Sequence, residues 1–138
     1  MMLGHLIQLN FDKIMQTRSY TMIILGAGEK RFAIYTDPSL GRTLQLYLTG
    51  AEKPRPLTHD LIDSILLGMD IRLKQVVIID LQDTIYHSRI FLEQQQGDTR
   101  RIIEIDARPS DSITLALMQN APLYCTQEVL DKTIPVED

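Results

Sequence analysis

PSDSITLAL at residues 109–117 repeats most of the pattern of PSLGRTLQL at residues 38–46, and this repeat is the main evidence for the fold. The two segments share the initial Pro-Ser, one Thr and two Leu at equal offsets. A proline is tolerated in the first turn of a helix, where its missing N–H would have no partner in any case. Both segments are therefore predicted to form helices that begin at the proline.

A second pair of matching blocks supports an internal duplication. THDLID at residues 58–63 corresponds to TQEVLD at residues 126–131, again in the same order. Chance similarity between two amphipathic helices is the alternative, and two matched blocks in one order favour duplication. We predict a repeated unit of three strands and two helices, at about 3–69 and 71–133.

Segments rich in β-forming residues precede each pair of predicted helices. The predicted strands are 3–11, 19–26, 31–36, 72–80, 84–94 and 100–107, and residues 121–125 are also predicted to be extended. The predicted helices begin at residues 38, 58, 109 and 126. The fold class is α+β, with one domain over residues 1–138 and a mainly antiparallel sheet. The predicted core takes apolar residues from both units: Ile34, Leu44, Leu61, Ile65, Ile90, Ile103, Ile105, Leu115 and Leu117.

The charge balance argues against a nucleic-acid partner. The chain has 18 acidic and 14 basic residues and a net charge of −4. Proteins that hold phosphates usually present a basic surface, because neutralising phosphates releases counterions. Positive charge that meets a phosphate would therefore have to be concentrated locally, and composition alone predicts a generic soluble domain.

The compartment is predicted from what the sequence lacks. No apolar run approaches the ~20 residues of a membrane span. Residues 1–5, MMLGH, have neither the basic region nor the apolar core of a signal peptide. The single cysteine, Cys125, cannot form an intramolecular disulfide and excludes Cys-rich zinc sites. We expect a cytoplasmic protein that does not bind membranes.

A hairpin around residues 95–98 places charged residues on one face of the sheet. With Gln96 and Gly97 at the turn centre, the opposed pairs on that face are Glu93 with Arg100, Phe91 with Ile102, Arg89 with Glu104, and His87 with Asp106. The other face is apolar and is predicted to face the core. The polar face is either a solvated surface whose pairs contribute little, or a site with an acid/base pair and a phosphate-binding arginine.

Four further segments carry a resemblance. They are RPLTHDL at 55–61, VVIIDL at 76–81, EIDARPSDS at 104–112 and APLY at 121–124. In this order and spacing they resemble the signature of the bifunctional nuclease domain family, over nearly the whole chain. The resemblance implies a barrel-like sheet built from a duplicated β3α2 unit with helices outside, and cleavage of both DNA and RNA. The chain departs from the family pattern at Asp37 and Leu40, where the family usually has a Gly and a Glu.

The resemblance and the polarity of two motifs together predict a site. The residues predicted to be catalytic are Asp106, Arg108, Asp111, His59 and Asp60, and those predicted to bind substrate are Arg55, Arg89, Ser110 and Thr58. Asp60, Asp106 and Asp111 would hold a divalent metal, Mg²⁺ or Mn²⁺. Helix capping and compensation of the helix dipole are the alternative explanation of Thr58, Asp60, Ser110 and Asp111.

Two functional hypotheses follow. The first is a metal-assisted nuclease whose partner is nucleic acid. The second is a non-catalytic, oligomeric binding or regulatory module with the same fold. The helix at 38–49 has a wider apolar face than packing on one side needs, because it carries Leu40, Leu44, Leu46, Tyr47 and Leu48. We therefore predict a homo-oligomer, most simply a twofold dimer.

Overall fold

The computed structural model describes residues 5–137, which form seven strands and four helices. The strands are β1 (Leu6–Gln16), β2 (Thr21–Ala27), β3 (Lys30–Thr36), β4 (Ile71–Gln82), β5 (Ile85–Gln96), β6 (Thr99–Ala107) and β7 (Leu123–Thr126). The helices are α1 (Pro38–Thr49), α2 (Thr58–Gly68), α3 (Pro109–Gln119) and α4 (Gln127–Lys132). Every predicted helix and strand is present, although residues 3 and 4 of the first predicted strand lie outside the described range.

The strands form one sheet in the order β3-β2-β1-β7-β4-β5-β6. Neighbouring strands are antiparallel except β4 and β7, which are parallel. The sheet has β3 and β6 as its edges and is not closed, so the expected barrel-like sheet is not confirmed. Phe32 of β3 stacks on Tyr86 of β5 at a centroid distance of 5.9 Å, so the sheet is curved. Helix α3 packs against β3, β4 and β5.

The position of α3 also corrects the expectation that all helices pack outside the sheet. Six consecutive or near-consecutive residues of α3 are buried: Ser110, Ser112, Ile113, Thr114, Leu115 and Ala116. A helix with so wide a buried surface lies in the core rather than on it. The hydrophobic core combines α3 with residues of strands from both predicted units, including Ile34 and Ile90. The duplication itself stays a prediction, with β7 as a strand that the three-strand unit does not contain.

The hairpin between β5 and β6 has a different register from the predicted one. Gln96 pairs with Thr99, so the turn consists of Gly97 and Asp98, and Arg89 lies opposite Asp106. The error displaces partners by two residues along the strand and leaves the two faces unchanged. The predicted ion pairs Arg89–Glu104 and Glu93–Arg100 therefore still form, as diagonal contacts of 3.0 and 3.1 Å. The predicted pairing of His87 with Asp106 is wrong.

Three predicted core residues are exposed. Helix α2 packs on the sheet through Ile62 and Leu66, which leaves Leu61 at 57% and Ile65 at 51% exposure. Ile105 is 41% exposed because it lies on the edge strand β6. The other six predicted core residues are buried or half-buried against the core.

The outer surface of α1 bears on the predicted dimer. Leu40 and Leu44 are buried in the chain itself, and Leu48 is exposed. Part of the wide apolar face is thus explained by packing within the chain, and the dimer stays a prediction. None of the helices formed by residues 5–137 is long and apolar enough to cross a lipid bilayer.

Gly41 allows α1 to lie close to β1 and β2. A Cβ atom at this position would overlap Gln16 Oε1 and Thr21 Oγ1 and lie 2.8 Å from Thr21 Cγ2. Gln16 could move, but Thr21 is fully buried and its hydroxyl donates to Gln16 Oε1 and the Asp37 carbonyl. We expect Gly41→Ala to lower the free energy of unfolding by about 1–3 kcal/mol in a denaturant melt, the usual cost of overpacking.

Gly68 provides the matched control for this substitution. It ends α2, and a Cβ atom there would meet nothing within 4 Å. Gly68→Ala should leave stability unchanged or raise it by up to ~1 kcal/mol, because alanine restricts the unfolded chain. Equal losses at the two positions would show that α1 does not depend on the close approach at Gly41.

Candidate functional site

Three helices begin around one pocket of about 310 Å³. We call it the helix-start pocket. Its lining residues come from the starts of α1, α2 and α3: Asp37, Ser39, Leu40, Thr43, Leu57, Thr58, His59, Arg108 and Asp111. Four of the residues predicted from sequence therefore meet here, namely Thr58, His59, Arg108 and Asp111.

The centre of the pocket is a chain of three polar side chains. His59 Nε2 lies 2.9 Å from Asp111 Oδ1, and Arg108 binds Asp111 Oδ2 through both Nε and Nη2 at 3.0 Å. The His59 side chain is 9% exposed, whereas that of Arg108 is 73% exposed. Asp111 thus holds a buried imidazole with one oxygen and an accessible guanidinium with the other.

Local sequence fixes the position of Arg108 and Asp111. Pro109 begins α3 directly after β6, which places Arg108 at the N-cap and Asp111 in the first turn. Ser112 then bonds Ser88 of β5 through their hydroxyls at 2.8 Å, so this turn is attached to the sheet. An acid in the first turn is also favoured by the helix dipole.

Thr58 and Ser110 do not cap their helices. Thr58 is the first residue of α2 and Ser110 lies within α3, and neither N-cap, Leu57 or Arg108, makes a side-chain cap hydrogen bond. By contrast, α1 is capped by Asp37 Oδ1, which accepts from the Leu40 amide at 2.9 Å. At the start of α2 the Leu57 amide donates to Asp60 instead. The remaining backbone N–H groups at a helix start are able to bind anions.

Asp60 has a different environment. Its carboxylate accepts a hydrogen bond from the Leu57 amide at 2.7 Å and lies 3.6 Å from Lys53 Nζ. The carboxylate also adjoins the Tyr47 hydroxyl, which is buried and has no hydrogen-bond partner within the usual distance. Burial alone would raise the pKa of Asp60, but the Leu57 amide, Tyr47 and Lys53 outweigh it and lower that pKa. Burial and the neighbouring Asp60 raise the pKa of Tyr47 to about 12. Here Asp60 supports the loop before α2.

This environment predicts a pH dependence of stability. Because the folded-state pKa of Asp60 is lowered, its stabilising contribution is present above the unfolded pKa of ~3.9 and is lost as pH falls through the folded value. The difference in unfolding free energy between wild type and Asp60→Asn should therefore shrink as the pH is lowered from 7 to 3. The exposed Asp98 supplies the control, since Asp98→Asn should show no such trend in the same melts.

The remaining predicted site residues do not line the helix-start pocket. Ser110 is buried and lines a neighbouring pocket. Arg89 binds Glu104, and its Nε is buried without a hydrogen bond. Asp106 and His87 are exposed. Arg55 is exposed in the segment between α1 and α2. The structure therefore brings together the helix starts but not the polar face of the β5–β6 hairpin.

The carboxylates predicted as metal ligands are also separated. Asp60 lines a different pocket, with Tyr47 and Lys53, from the one that Asp111 lines. Within residues 5–137, no three His, Cys, Asp or Glu side chains are grouped so as to hold a metal ion. The Asp111 carboxylate already binds His59 and Arg108. A site formed jointly by Asp60, Asp106 and Asp111 does not fit this arrangement.

Sequence reasoning did not identify Asp37, Ser39 and Thr43 as part of the pocket. The internal repeat contained a signal for them, because it aligns Asp37 with Arg108 and Ser39 with Ser110. If two such units pack around a pseudo-twofold axis, equivalent helix starts come together. Leu40, which the same alignment matches to Asp111, is an apolar part of the pocket wall.

Comparison with known proteins assigns the family. The model of the bifunctional nuclease domain matches residues 23–137. The chain belongs to the bifunctional nuclease domain family. The match covers all of α1, α2 and α3, and so the whole helix-start pocket of this bifunctional nuclease domain.

Two curated relatives of the domain come from Mycobacterium tuberculosis. They are uncharacterized proteins from strains CDC 1551 and ATCC 25618, each 35% identical over 103 residues. The aligned region covers 75% of this chain and 58% of each relative, so the domain spans little more than half of their length. They place the domain within longer proteins and assign no activity to it.

Proposed function

We propose that the protein is a nuclease that hydrolyses phosphodiester bonds of DNA and RNA in the helix-start pocket. The observation that carries the proposal is the contact between His59 and Asp111, 2.9 Å long, beside an arginine that is 73% exposed. A histidine oriented by a carboxylate is a general base, and an accessible guanidinium binds phosphate. Membership of the bifunctional nuclease domain family supports the same activity.

The role of each side chain follows from its contacts. When His59 Nε2 donates to Asp111, the other ring nitrogen of the neutral imidazole is an acceptor and can take a proton from an attacking water. Asp111 also stabilises the imidazolium that this transfer produces. Arg108 uses Nε and Nη2 on Asp111, and its remaining N–H groups are available to the scissile phosphate.

The starts of α2 and α3 contribute the positive ends of their helix dipoles, equivalent to roughly half a charge per helix. Asp60 and Asp111 lie in the first turns of these helices and offset part of that charge. The transition state of phosphodiester hydrolysis gains negative charge on its oxygens, so donors fixed in advance lower the barrier.

A divalent metal remains a proposal separate from these residues. Mg²⁺ takes few protein ligands and keeps several waters, so one carboxylate could suffice to recruit it with the substrate. The three-carboxylate set predicted from sequence does not fit the pocket, and no step above depends on a metal. Activity should therefore be measured with chelator, with Mg²⁺ and with Mn²⁺.

The test uses purified protein with single- and double-stranded DNA and RNA under these three conditions. We expect cleavage, and we expect Arg108→Ala to raise the KM for an oligonucleotide about tenfold, as for the loss of a charged hydrogen bond. Arg18 is exposed in the turn after β1, so Arg18→Ala controls for the loss of one positive charge. Binding without cleavage under every condition would instead support a non-catalytic binding module. Neither cleavage nor binding at low salt would exclude both.

A further inference from the structure

Beside the helix-start pocket lie two adjoining pockets that the proposed mechanism does not use. Their volumes are about 580 and 280 Å³, and they share Tyr35, Thr84 and Tyr86. The smaller one also shares Arg108 with the helix-start pocket. We call the two together the tyrosine groove, defined by Tyr35, Thr84 and Tyr86. It connects an apolar surface directly to the proposed phosphate-binding arginine.

Tyr35 is the open aromatic ring of this groove. It is 61% exposed, whereas Tyr86 is half-buried and stacked on Phe32. Tyr20 contacts the Tyr35 ring at a centroid distance of 5.3 Å and an angle of 67°, so the ring has a neighbour that holds it on the strand. A supported aromatic ring that remains accessible beside a cation is the arrangement on which unpaired bases stack in single-strand-binding proteins.

We infer that the tyrosine groove binds an unpaired nucleobase on the Tyr35 ring while the adjoining phosphate lies on Arg108. This inference rests on the proposed function and adds the substrate class, which is single-stranded nucleic acid. A base within a duplex is stacked on both faces and would have to leave the helix to reach Tyr35. Every base has a π face, so the groove accepts DNA and RNA of any sequence.

The larger pocket of the groove provides further apolar surface for the strand. It is lined by the apolar residues Met22 and Leu81, together with Asp83 and with Lys132, which lies 3.2 Å from Glu128. Arg108 lines the smaller pocket, beside Tyr35 and Tyr86. A phosphate on Arg108 and a base on the aromatic surface match the alternation of phosphates and bases along a single strand.

The experiment measures binding by fluorescence anisotropy in chelator, with a labelled single-stranded oligonucleotide and an abasic oligonucleotide of equal length and charge. We expect wild type to bind the base-containing strand about tenfold more tightly, the scale of one stacked base. Tyr35→Ala should remove this difference, and Tyr35→Phe, which keeps the ring, should retain it. A duplex of the same sequence should bind less tightly than the single strand.

The outcomes separate this inference from the nuclease itself. Equal binding of the two strands by wild type, or a difference that persists in Tyr35→Ala, overturns the stacking site even if wild type cleaves nucleic acid. Base-dependent binding that needs Tyr35, without cleavage under any metal condition, retains the stacking site and rejects the nuclease. Failure to bind either strand at low salt overturns the stacking site, and cleavage measured with Mg²⁺ and Mn²⁺ then decides the nuclease separately.

Discussion

Asp111→Asn is expected to lower the rate of phosphodiester cleavage by about 100-fold or more, the scale of general acid–base catalysis, while the chain stays folded. The variant keeps the shape of the side chain but loses the anion between His59 and Arg108. An asparagine that donates its amide N–H to Nε2 also reverses the orientation of donor and acceptor on the imidazole. Because Asp111 acts through His59, the loss should appear in kcat more than in KM.

Stability is the companion measurement for this variant. The Arg108–Asp111 pair is largely solvated, so we expect a loss of at most ~1 kcal/mol from the pair and the helix dipole. Asp98→Asn makes the same chemical change in an exposed turn. It should alter neither the rate of cleavage nor the free energy of unfolding. If Asp111→Asn melts normally and cleaves at the wild-type rate, the proposed role of the His59–Asp111 contact is excluded.

Asp106→Asn examines the wider site predicted from sequence. A normal melt with activity reduced by about 100-fold would place Asp106 among the catalytic residues. Activity that follows the amount of folded protein would remove it from the site. Asp106 is exposed opposite Arg89 in the structure and is absent from the lining of the helix-start pocket, so we expect the second result.

The largest loss of stability is expected for Leu115→Ala. Leu115 is 3% exposed within α3, which contacts strands near both edges of the sheet. Truncation of a buried leucine removes its transfer free energy and leaves a cavity, for a cost of about 2–5 kcal/mol. The free energy of unfolding from denaturant melts measures this directly.

Leu61→Ala is the matched control. The same atoms are removed from a leucine that is 57% exposed, and we expect a change within about 0.5 kcal/mol, as for ordinary surface substitutions. A loss below ~1 kcal/mol at Leu115, or comparable losses at both positions, would mean that the burial of these two helices has been described incorrectly.

These two leucines also show how far the sequence determines the fold. Both lie on helices with apolar residues at helical spacing, and periodicity identified the helices correctly. It could not show that α3 packs against three strands and two helices, whereas the apolar contacts of α2 with the core come from Ile62 and Leu66. The number of neighbours around a helix is a property of the assembled sheet, and the local pattern contains only part of that information.

The wrong register predicted for the β5–β6 hairpin has a local cause. Glycine is suited to either central position of a two-residue turn, depending on the turn type. Gly97 adopts a φ of 60° as the first of the two, with Asp98 second. Both registers keep the same residues on the same face, so the alternation of polar and apolar side chains could not distinguish them.

The candidate site was predictable where it is local in sequence. Arg108 and Asp111 are three residues apart at a helix start, and a motif reveals such a pair. The contact of His59 with Asp111 joins residues that are 52 positions apart and depends on how α2 meets α3. Asp60 is adjacent to His59 in sequence, yet its carboxylate turns to the Leu57 amide. Residue type alone does not show which way the Asp60 carboxylate points.

The position of β7 in the sheet has a consequence for the order of folding. Strands β1, β2 and β3 form one antiparallel set and β4, β5 and β6 another, and β7 joins them by pairing with both β1 and β4. Residues 123–126 follow all other strands in the chain, so during synthesis both sets must wait with an unpaired edge until this short segment has emerged. Exposed strand edges are the usual route to aggregation of incomplete chains. Nascent chains that end before residue 123 should therefore be the species most dependent on chaperones, although they already contain every residue of the helix-start pocket.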